Sequence, residues 1–315
     1  METMRAVVQD TYGPPEALGV TRIPVPVARP DQALVRVRAA GIDAGTWHLT
    51  TGEPLLMRVI GMGFRGPKAR VRGLAFAGEI VETGERVFGV APGALAEFVA
   101  VDRSSLVAMP PALTFDEAAA LPVSAVTALQ AVRAAAPRPG DGILVLGAAG
   151  GVGHYVVQLA VAAGAHVTGV CSAPKAAFVR ELGANETIDY ATTDVLALPR
   201  LWDAIVDTAG DRPLAALRRI LAPTGALVLV GGTGGRILGG TDRVAAAAMR
   251  NAFARQRLVG LLSRDTAADL AEVASLVADG SLRPVLDATY PLEEAGAAIA
   301  QVGAGRARGK VVVTV

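Results

Sequence analysis

The stretch ILVLGAAGGVGHYVVQLA, residues 143–160, decides the fold. Its first four residues are a continuous apolar run that reads as a buried strand. The stretch ends as an amphipathic helix, and four glycines fall within the seven positions 147–153 between them. Either that turn is merely tight, or something charged comes within touching distance of the backbone. Against the dinucleotide pattern G-x-G-x-x-G, residues 148–153 read Ala148-Ala149-Gly150-Gly151-Val152-Gly153. Alanine holds the first glycine position, while Gly150 and Gly153 fall where the pattern requires them. Gly150 lets a pyrophosphate approach the backbone, and Gly153 lets the helix pack closely on the strand. Amides at the helix N-terminus then face the phosphates, helped by the helix dipole.

Outward from this turn the chain alternates strand and helix. GILVLG, HVTGVCS, ETIDY, AIVDTAG and ALVLVGG read as strands, with VGHYVVQLAVAAG, PKAAFVRELG and PLAALRRILAPTG as helices. Such alternation indicates βαβ units and a parallel, helix-covered sheet. Upstream, RAVVQD, ALVRVRAAGI, FAGEIVE and ERVFGV are short strands punctuated by YGPPE and IPVPVARPDQ. Thr114 stands three residues before Glu117 in capping-box spacing and opens a helical segment that Pro122 should interrupt. A tail helix, TAADLAEVASLVADG, and a last strand, GKVVVTV, return to the first domain. The expected organisation is a β-rich domain, residues 1–119 completed by 264–315, and a doubly wound α/β domain, residues 120–263.

Composition narrows the classes. Of 315 residues 52% are apolar and 19% charged, a globular balance. A net charge of +1 leaves no basic stripe for nucleic acid. No uninterrupted apolar run reaches membrane-spanning length, and METMRAVVQD lacks the apolar stretch of a signal peptide. Cys171 is the single cysteine, so there is no disulfide framework. A cytoplasmic protein acting on a small molecule is expected. Only Lys68, Lys175 and Lys310 are lysines among 30 basic residues, the bias of a GC-rich, bacterial coding sequence.

The second strand of the α/β domain ends in VTGVCSAPK. An NAD-preferring site carries an acid about twenty residues past the glycines, where it accepts from the ribose 2′-hydroxyl. Cys171 and Ser172 hold that place, and no carboxylate follows until Glu181. With Ser172 as donor and Lys175 as cation, the reading favours NADP(H). Tyr190, closing IDY, offers an edge or hydroxyl near the adenosine.

Taken together, AAGIDAGTWHL, VFGV, EAAALPVSAVTALQAV, LVLGAAGGVGHYVVQLA, ELGANETIDY and RGKVVVTV resemble the medium-chain dehydrogenase/reductase superfamily, in its zinc-independent quinone-oxidoreductase-like branch. The resemblance spans nearly the whole chain. It implies a GroES-like catalytic domain, a Rossmann domain inserted into it, and a nicotinamide cofactor in the cleft between them. It further implies cofactor contacts at Asp43 (an Asn in zinc-free relatives), Thr127, the turn Ala149-Gly150-Gly151-Val152-Gly153, Ala209, Gly231, Gly232, Arg308 and Lys310. Relatives usually pair through the Rossmann sheet edge, so a homodimer is expected, with ALVLVGGTGG and QRLVGLLS as the apolar edge.

Zinc-dependent relatives place a cysteine after the AG pair and a His-Glu pair after a later glycine. Here those positions read Asp43, Leu74 and Ala75, and the three histidines, His48, His154 and His166, stand in unrelated places, so no metal site is expected. Lacking a Lewis acid, such a site suits substrates that already carry an electron sink: quinones, or alkenes conjugated to a carbonyl. Trp47, His48 and Tyr12 are the candidate proton or hydrogen-bond donors. A metal-free carbonyl reductase or alcohol dehydrogenase, and a non-catalytic NADPH-binding protein, stay open as alternatives. The Arg- and Gly-rich excursion at residues 55–73 is a candidate lining of the substrate cleft.

Overall fold

Six parallel strands form the sheet that the glycine turn serves. They are β8 (Gly142–Leu146), β9 (His166–Cys171), β10 (Glu186–Asp189), β11 (Trp202–Asp207), β12 (Leu221–Leu229) and β13 (Arg257–Gly260), numbered after the seven strands of the N-terminal part. This computed structural model describes residues 2–59, 63–231, 239–251 and 255–315. The strand order is β10-β9-β8-β11-β12-β13. The first three strands run outward from β8 in one direction and the next three in the other, so the order reverses between β8 and β11. That reversal is the topological switch point at which open α/β sheets bind dinucleotides. Ile143, Leu144, Val145 and Leu146 are fully or almost fully buried, which explains the unbroken apolar run: a parallel strand covered on both faces has no solvent side to make polar. The core around them holds Val170, Trp202, Ile205, Leu217, Leu227 and Leu229.

One element is shorter than its sequence suggests. PLAALRRILAPTG reads as a single helix, but helix α7 covers only Leu214–Arg219 and β12 begins at Leu221. Buried Leu221 pairs with Trp202 across β11, and this tertiary contact overrides local helix propensity.

The N-terminal part is β1 (Thr3–Val8), β2 (Gly19–Pro24), β3 (Gln32–Ile42), β4 (Ala75–Ile80), β5 (Arg86–Val90), β6 (Phe98–Asp102) and β7 (Val107–Ala108), with helices α1 (Ala44–Thr51), α2 (Leu55–Met57) and α3 (Phe115–Ala119). The chain returns to it with α9 (Ala267–Ala278), β14 (Leu286–Pro291), α10 (Ala295–Gly303) and β15 (Lys310–Thr314). Strand β15 pairs with β14 in parallel and with β3 in antiparallel fashion, so the last residues complete the first sheet. Val35, Val37, Ile42, Phe76, Leu95, Ile299, Val311 and Val313 form its core.

Two compact units result, Met1–Val126 with Asp265–Val315, and Thr127–Arg264. The expected divisions at 119/120 and 263/264 compare with 126/127 and 264/265, and the division at 126/127 lies inside helix α4 (Ser124–Ala135). The Thr114 hydroxyl accepts from the Glu117 amide, and the Glu117 carboxylate accepts from the Thr114 amide, completing the capping box of α3. Pro122 lies in the break between α3 and α4.

Candidate active site

The turn after β8 divides its glycines by task. Gly147 has φ +76°, and a Cβ there would lie 2.6 Å from the Thr208 hydroxyl, so this residue makes the tight turn that the pattern assigns to position 148. Gly153, which opens helix α5 (Gly153–Ala162), has no room for a side chain: its Cβ would meet the Gly147 carbonyl oxygen at 2.1 Å. A Cβ on Gly150 would meet only that same oxygen, at 3.3 Å. Gly153 is therefore needed for packing, whereas Gly150 keeps an open face. Fully buried His154 donates Nδ1–H to the Gly150 carbonyl at 2.9 Å and fixes the turn from inside. Ala149 is buried, and Val152 precedes the helix as its N-cap residue. Three first-turn amides are already bonded, His154 to the Gly150 carbonyl and Tyr155 and Val156 to the Val152 carbonyl, each at 3.1 Å, so a phosphate would meet the helix dipole and the turn ahead of α5.

Across the switch point, the Asp207 carboxylate fixes the loop after β11. Its Oδ1 accepts from the Ala209 and Gly210 amides at 3.2 and 2.8 Å, and its Oδ2 accepts from Arg243 Nη2 at 2.5 Å. Arg243 stands on helix α8 (Thr241–Asn251), and the pair was not anticipated from sequence because 36 residues separate its members. Gly231 follows β12, and Gly232 lies outside the described residues. The Thr127 hydroxyl, almost buried, bonds Ser263 Oγ at 3.0 Å.

At the end of β9, Ser172 precedes a short turn, Ala173–Lys175, and the Lys175 amide bonds back to the Ser172 carbonyl at 2.9 Å. Burial pushes the Cys171 thiol up, and Asp189 adds to the rise while Lys175 and Arg180 oppose it. Two cations and one carboxylate therefore surround this strand end. Asp189 sits directly across from Cys171 in the parallel register of β10, a neighbour that sequence spacing does not display. Its Oδ1 also accepts from the Ala191 amide at 3.1 Å. Tyr190 is exposed, at 57%.

In the first unit, Asp43 caps α1, its Oδ1 accepting from the Thr46 amide at 3.0 Å. Its Oδ2 is buried and has no hydrogen-bond partner among the described residues. Lys310, 1% exposed, donates Nζ–H to the Ile42 carbonyl and to Ser124 Oγ, each at 2.8 Å. Burial pulls the Lys310 ammonium down to about 8, against the opposing pull of the Asp43 charge. Arg308, two residues earlier, is largely exposed and lies 4.0 Å from Asp287.

The candidate donors separate here. Tyr12 donates its hydroxyl to the Gly63 carbonyl at 2.8 Å and lies under the Arg58 guanidinium, 4.3 Å from the ring centre. A Cβ on Gly303 of α10 would fall 2.2 Å from the Trp47 indole nitrogen, so this indole edge is packed against α10. His48 bonds the Glu53 carbonyl through Nδ1 at 2.6 Å, which makes Nδ1 the protonated nitrogen and leaves Nε2 as the acceptor. The arginines of the 55–73 excursion have a task of their own. Arg58 donates to the Gly52 and Thr51 carbonyls at 2.7 and 2.9 Å, and buried Arg72 donates to the Leu49 carbonyl at 2.9 Å. Both cap the C-terminal end of α1, where the helix dipole favours cations.

Comparison with known proteins fits this geometry. A model for a zinc-binding dehydrogenase family matches residues 182–313. The chain is 31% identical over 336 residues to the chloroplastic quinone-oxidoreductase homolog of Spinacia oleracea, covering 98% of each. It is 30% identical to the mitochondrial NAD(P)H oxidoreductase RTN4IP1 of Mus musculus, over 99% of this chain and 89% of that protein. The quinone oxidoreductase structure from Coxiella burnetii superposes with a TM-score of 0.86 at 28% identity, with 100% of both chains covered. The chain belongs to the medium-chain dehydrogenase/reductase superfamily, in its quinone-oxidoreductase-like branch.

Medium-chain dehydrogenase/reductase folds join a GroES-like unit to a Rossmann unit, and both sheets described above have those forms. The family model is named for zinc. Among the described residues no three His, Cys, Asp or Glu side chains gather where an ion could sit. Leu74 and Ala75 supply no donor atoms at two of the family's ligand positions, and Ala75 is buried in β4. The turn suits a nicotinamide dinucleotide, whose phosphates have room beside Gly150 at the N-terminal end of α5. No helix of the described residues is long and apolar enough to cross a membrane.

Proposed function

We propose that this medium-chain dehydrogenase/reductase is an NADPH-preferring, zinc-independent oxidoreductase that reduces quinones or alkenes conjugated to a carbonyl. The glycine turn at the switch point carries the reading, because Gly150 is open toward a ligand where Gly153 is closed. When bound, the nicotinamide ring supplies the hydride. Ala149, Gly150, Gly151, Val152 and Gly153 hold the pyrophosphate, while Ala209 and Gly231 present backbone groups and Thr127 a hydroxyl to the nicotinamide half. Ser172 and Lys175 bind the 2′-phosphate, with Arg180 as a second cation and Tyr190 against the adenosine. Asp43 accepts a hydrogen bond from the bound ligands. His48 is the residue we retain as the proton-exchanging group, since Tyr12 and Trp47 are engaged elsewhere.

Substrate choice follows from the donor set. With no ligand cluster among the described residues to hold a Lewis acid, negative charge developing on the substrate oxygen would be met by hydrogen-bond donors, which favours substrates that delocalise it. We place the enzyme in the cytoplasm, since its one cysteine is buried and unpaired. We also propose a homodimer that pairs along β13. ALVLV, by contrast, is the internal strand β12, so QRLVG alone supplies the edge on that side of the sheet.

Turnover of a panel of quinones, enones and aldehydes with NADPH and NADH tests the reading. Quinones or enones should consume NADPH in preference to NADH, and Lys175→Ala should weaken NADPH more than NADH. Tight NADPH binding without turnover of any panel member would overturn the catalytic assignment. Gly150→Val should abolish NADPH binding with a nearly unchanged melting temperature, whereas Gly153→Val should lose both. Native affinity in Gly150→Val would remove the phosphate cradle.

A further inference from the structure

The hydroxyl that receives Lys310 is aimed by strained backbone. Val123 has φ +63°, a conformation that a β-branched residue rarely adopts. The Ser124 amide reaches back across it to the Pro122 carbonyl at 2.7 Å, closing a three-residue turn of the strained γ type. Strain of this kind persists only where surrounding structure fixes it, and it gathers at working sites. Ser124 follows at once, 2% exposed, with its Oγ on the Lys310 ammonium. From the other side, Gly309 precedes the lysine with φ +79°, and a Cβ there would strike the Val285 carbonyl oxygen at 2.4 Å. Two special backbone positions therefore converge on one buried amine.

That amine is not used as an ordinary ion pair. Its hydrogen bonds go to a carbonyl and a hydroxyl, both neutral, while the charge acting on it is the carboxylate of Asp43, the next residue after Ile42. Asp43 uses one oxygen to cap α1 and keeps the other buried and unmatched among the described residues. A buried acceptor without a donor is costly, and an N–H or O–H group of a bound molecule would relieve that cost.

We propose that Lys310 is a positioning residue for the reaction: held by Ile42 and Ser124, it balances the Asp43 carboxylate and leaves Asp43 Oδ2 free to accept from an N–H or O–H group of a bound ligand. This inference rests on the reading of Asp43 as a ligand contact. The donor is either the carboxamide of the nicotinamide or a hydroxyl of the substrate. Among the described residues two carboxylates bear on the pair. Asp43 acts on Lys310 from the start of α1, and Asp265, ahead of α9, is acted on by Asp43; Ile42 on β3 and Ser124 on α4 are neutral.

The test measures kcat and KM across pH for the wild type, Lys310→Met, Lys310→Arg, Asp43→Asn and the Asp43→Asn/Lys310→Met double variant. In the wild type kcat/KM should fall as pH rises through about 8, where Lys310 loses its proton. Lys310→Met should lower kcat/KM at least tenfold at neutral pH and erase that alkaline limb, and Lys310→Arg should restore part of the loss. In the Asp43→Asn background the same change should cost less than threefold, because no carboxylate remains to be balanced. Equal losses in both backgrounds, or an alkaline limb that survives Lys310→Met, would overturn the proposal in favour of a purely structural lysine. The double variant buries no lone charge and so keeps the cycle measurable if Lys310→Met folds poorly. An acetylpyridine analogue of the cofactor, which lacks the amide N–H, separates the sources. Discrimination against it that disappears in Asp43→Asn assigns the donor to the carboxamide, and unchanged discrimination with a raised substrate KM assigns it to the substrate. Should the wild type turn over nothing, the functional reading fails. The lysine is then judged by NADPH affinity, which Lys310→Met should lower in the wild-type background and not in Asp43→Asn, and equal affinities across the cycle would refute it.

Discussion

Each unit buries a carboxylate near a cation, and the two arrangements differ in what they leave undone. In the Rossmann unit Asp207 has both oxygens engaged, Oδ1 on two amides and Oδ2 on Arg243. Among the described residues the unmatched atoms there, Nε and Nη1, belong to the arginine. In the GroES-like unit Lys310 bonds only neutral oxygens, and the unmatched atom belongs to the carboxylate, Asp43 Oδ2. The first arrangement is a staple that holds a loop in place. The second keeps acceptor capacity in reserve. A buried acid–base pair is thus informative mainly through the valence it fails to use.

The largest expected effect breaks the staple. Arg243→Ala should lower stability by about 3–5 kcal/mol, because it strands a fully buried carboxylate. Chemical denaturation read by fluorescence checks it, and a loss below about 1 kcal/mol would mean the Ala209 and Gly210 amides suffice to hold Asp207.

Next comes the pH dependence of the open pair. Lys310 moves from an ordinary 10.5 to about 8 on folding, so between those values the unfolded chain holds a proton that the folded chain has released. Stability linked to this group is complete above 10.5 and is lost as pH falls to about 8. The full span corresponds to about 3 kcal/mol at most. Denaturation midpoints of wild type minus Lys310→Met, taken across that window, should rise with pH. A flat difference would show that the amine stays charged in the folded protein.

Smaller still is the cost of neutralising each acid. Asp43→Asn should change stability by only about 1 kcal/mol, since asparagine is an equally good N-cap and the lysine's own bonds are to Ile42 and Ser124. Asp207→Asn should cost distinctly more in the same assay, because its direct ion pair is lost. Equal costs would erase the distinction between the two pairs.

Much of the fold was legible because it depends on local rules. The apolar run 143–146, the capping box at Thr114 and the break at Pro122 each express one short-range principle, and each has its counterpart in the structure. The glycine turn was legible in kind, though the tight-turn task falls on Gly147, one residue before the pattern's first position. What stayed hidden depends on residues brought together from afar. Asp189 reaches Cys171 through strand register, and Arg243 reaches Asp207 through helix packing. Arg58 and Arg72 read as part of an excursion lining the substrate cleft, yet they close the end of α1. Lys310 reads as a cofactor contact in RGK, and its burial follows from a strand pairing that sequence alone does not announce.

The lone thiol gives this chain a built-in reporter. Cys171 is 4% exposed, and burial raises its thiol, so it should resist alkylation while β9 stays closed. The rate at which a thiol reagent labels it then counts local openings at this strand end, with no engineered probe and no competing sulfhydryl. Protection that deepens with NADPH more than with NADH would register the 2′-phosphate through labelling kinetics alone.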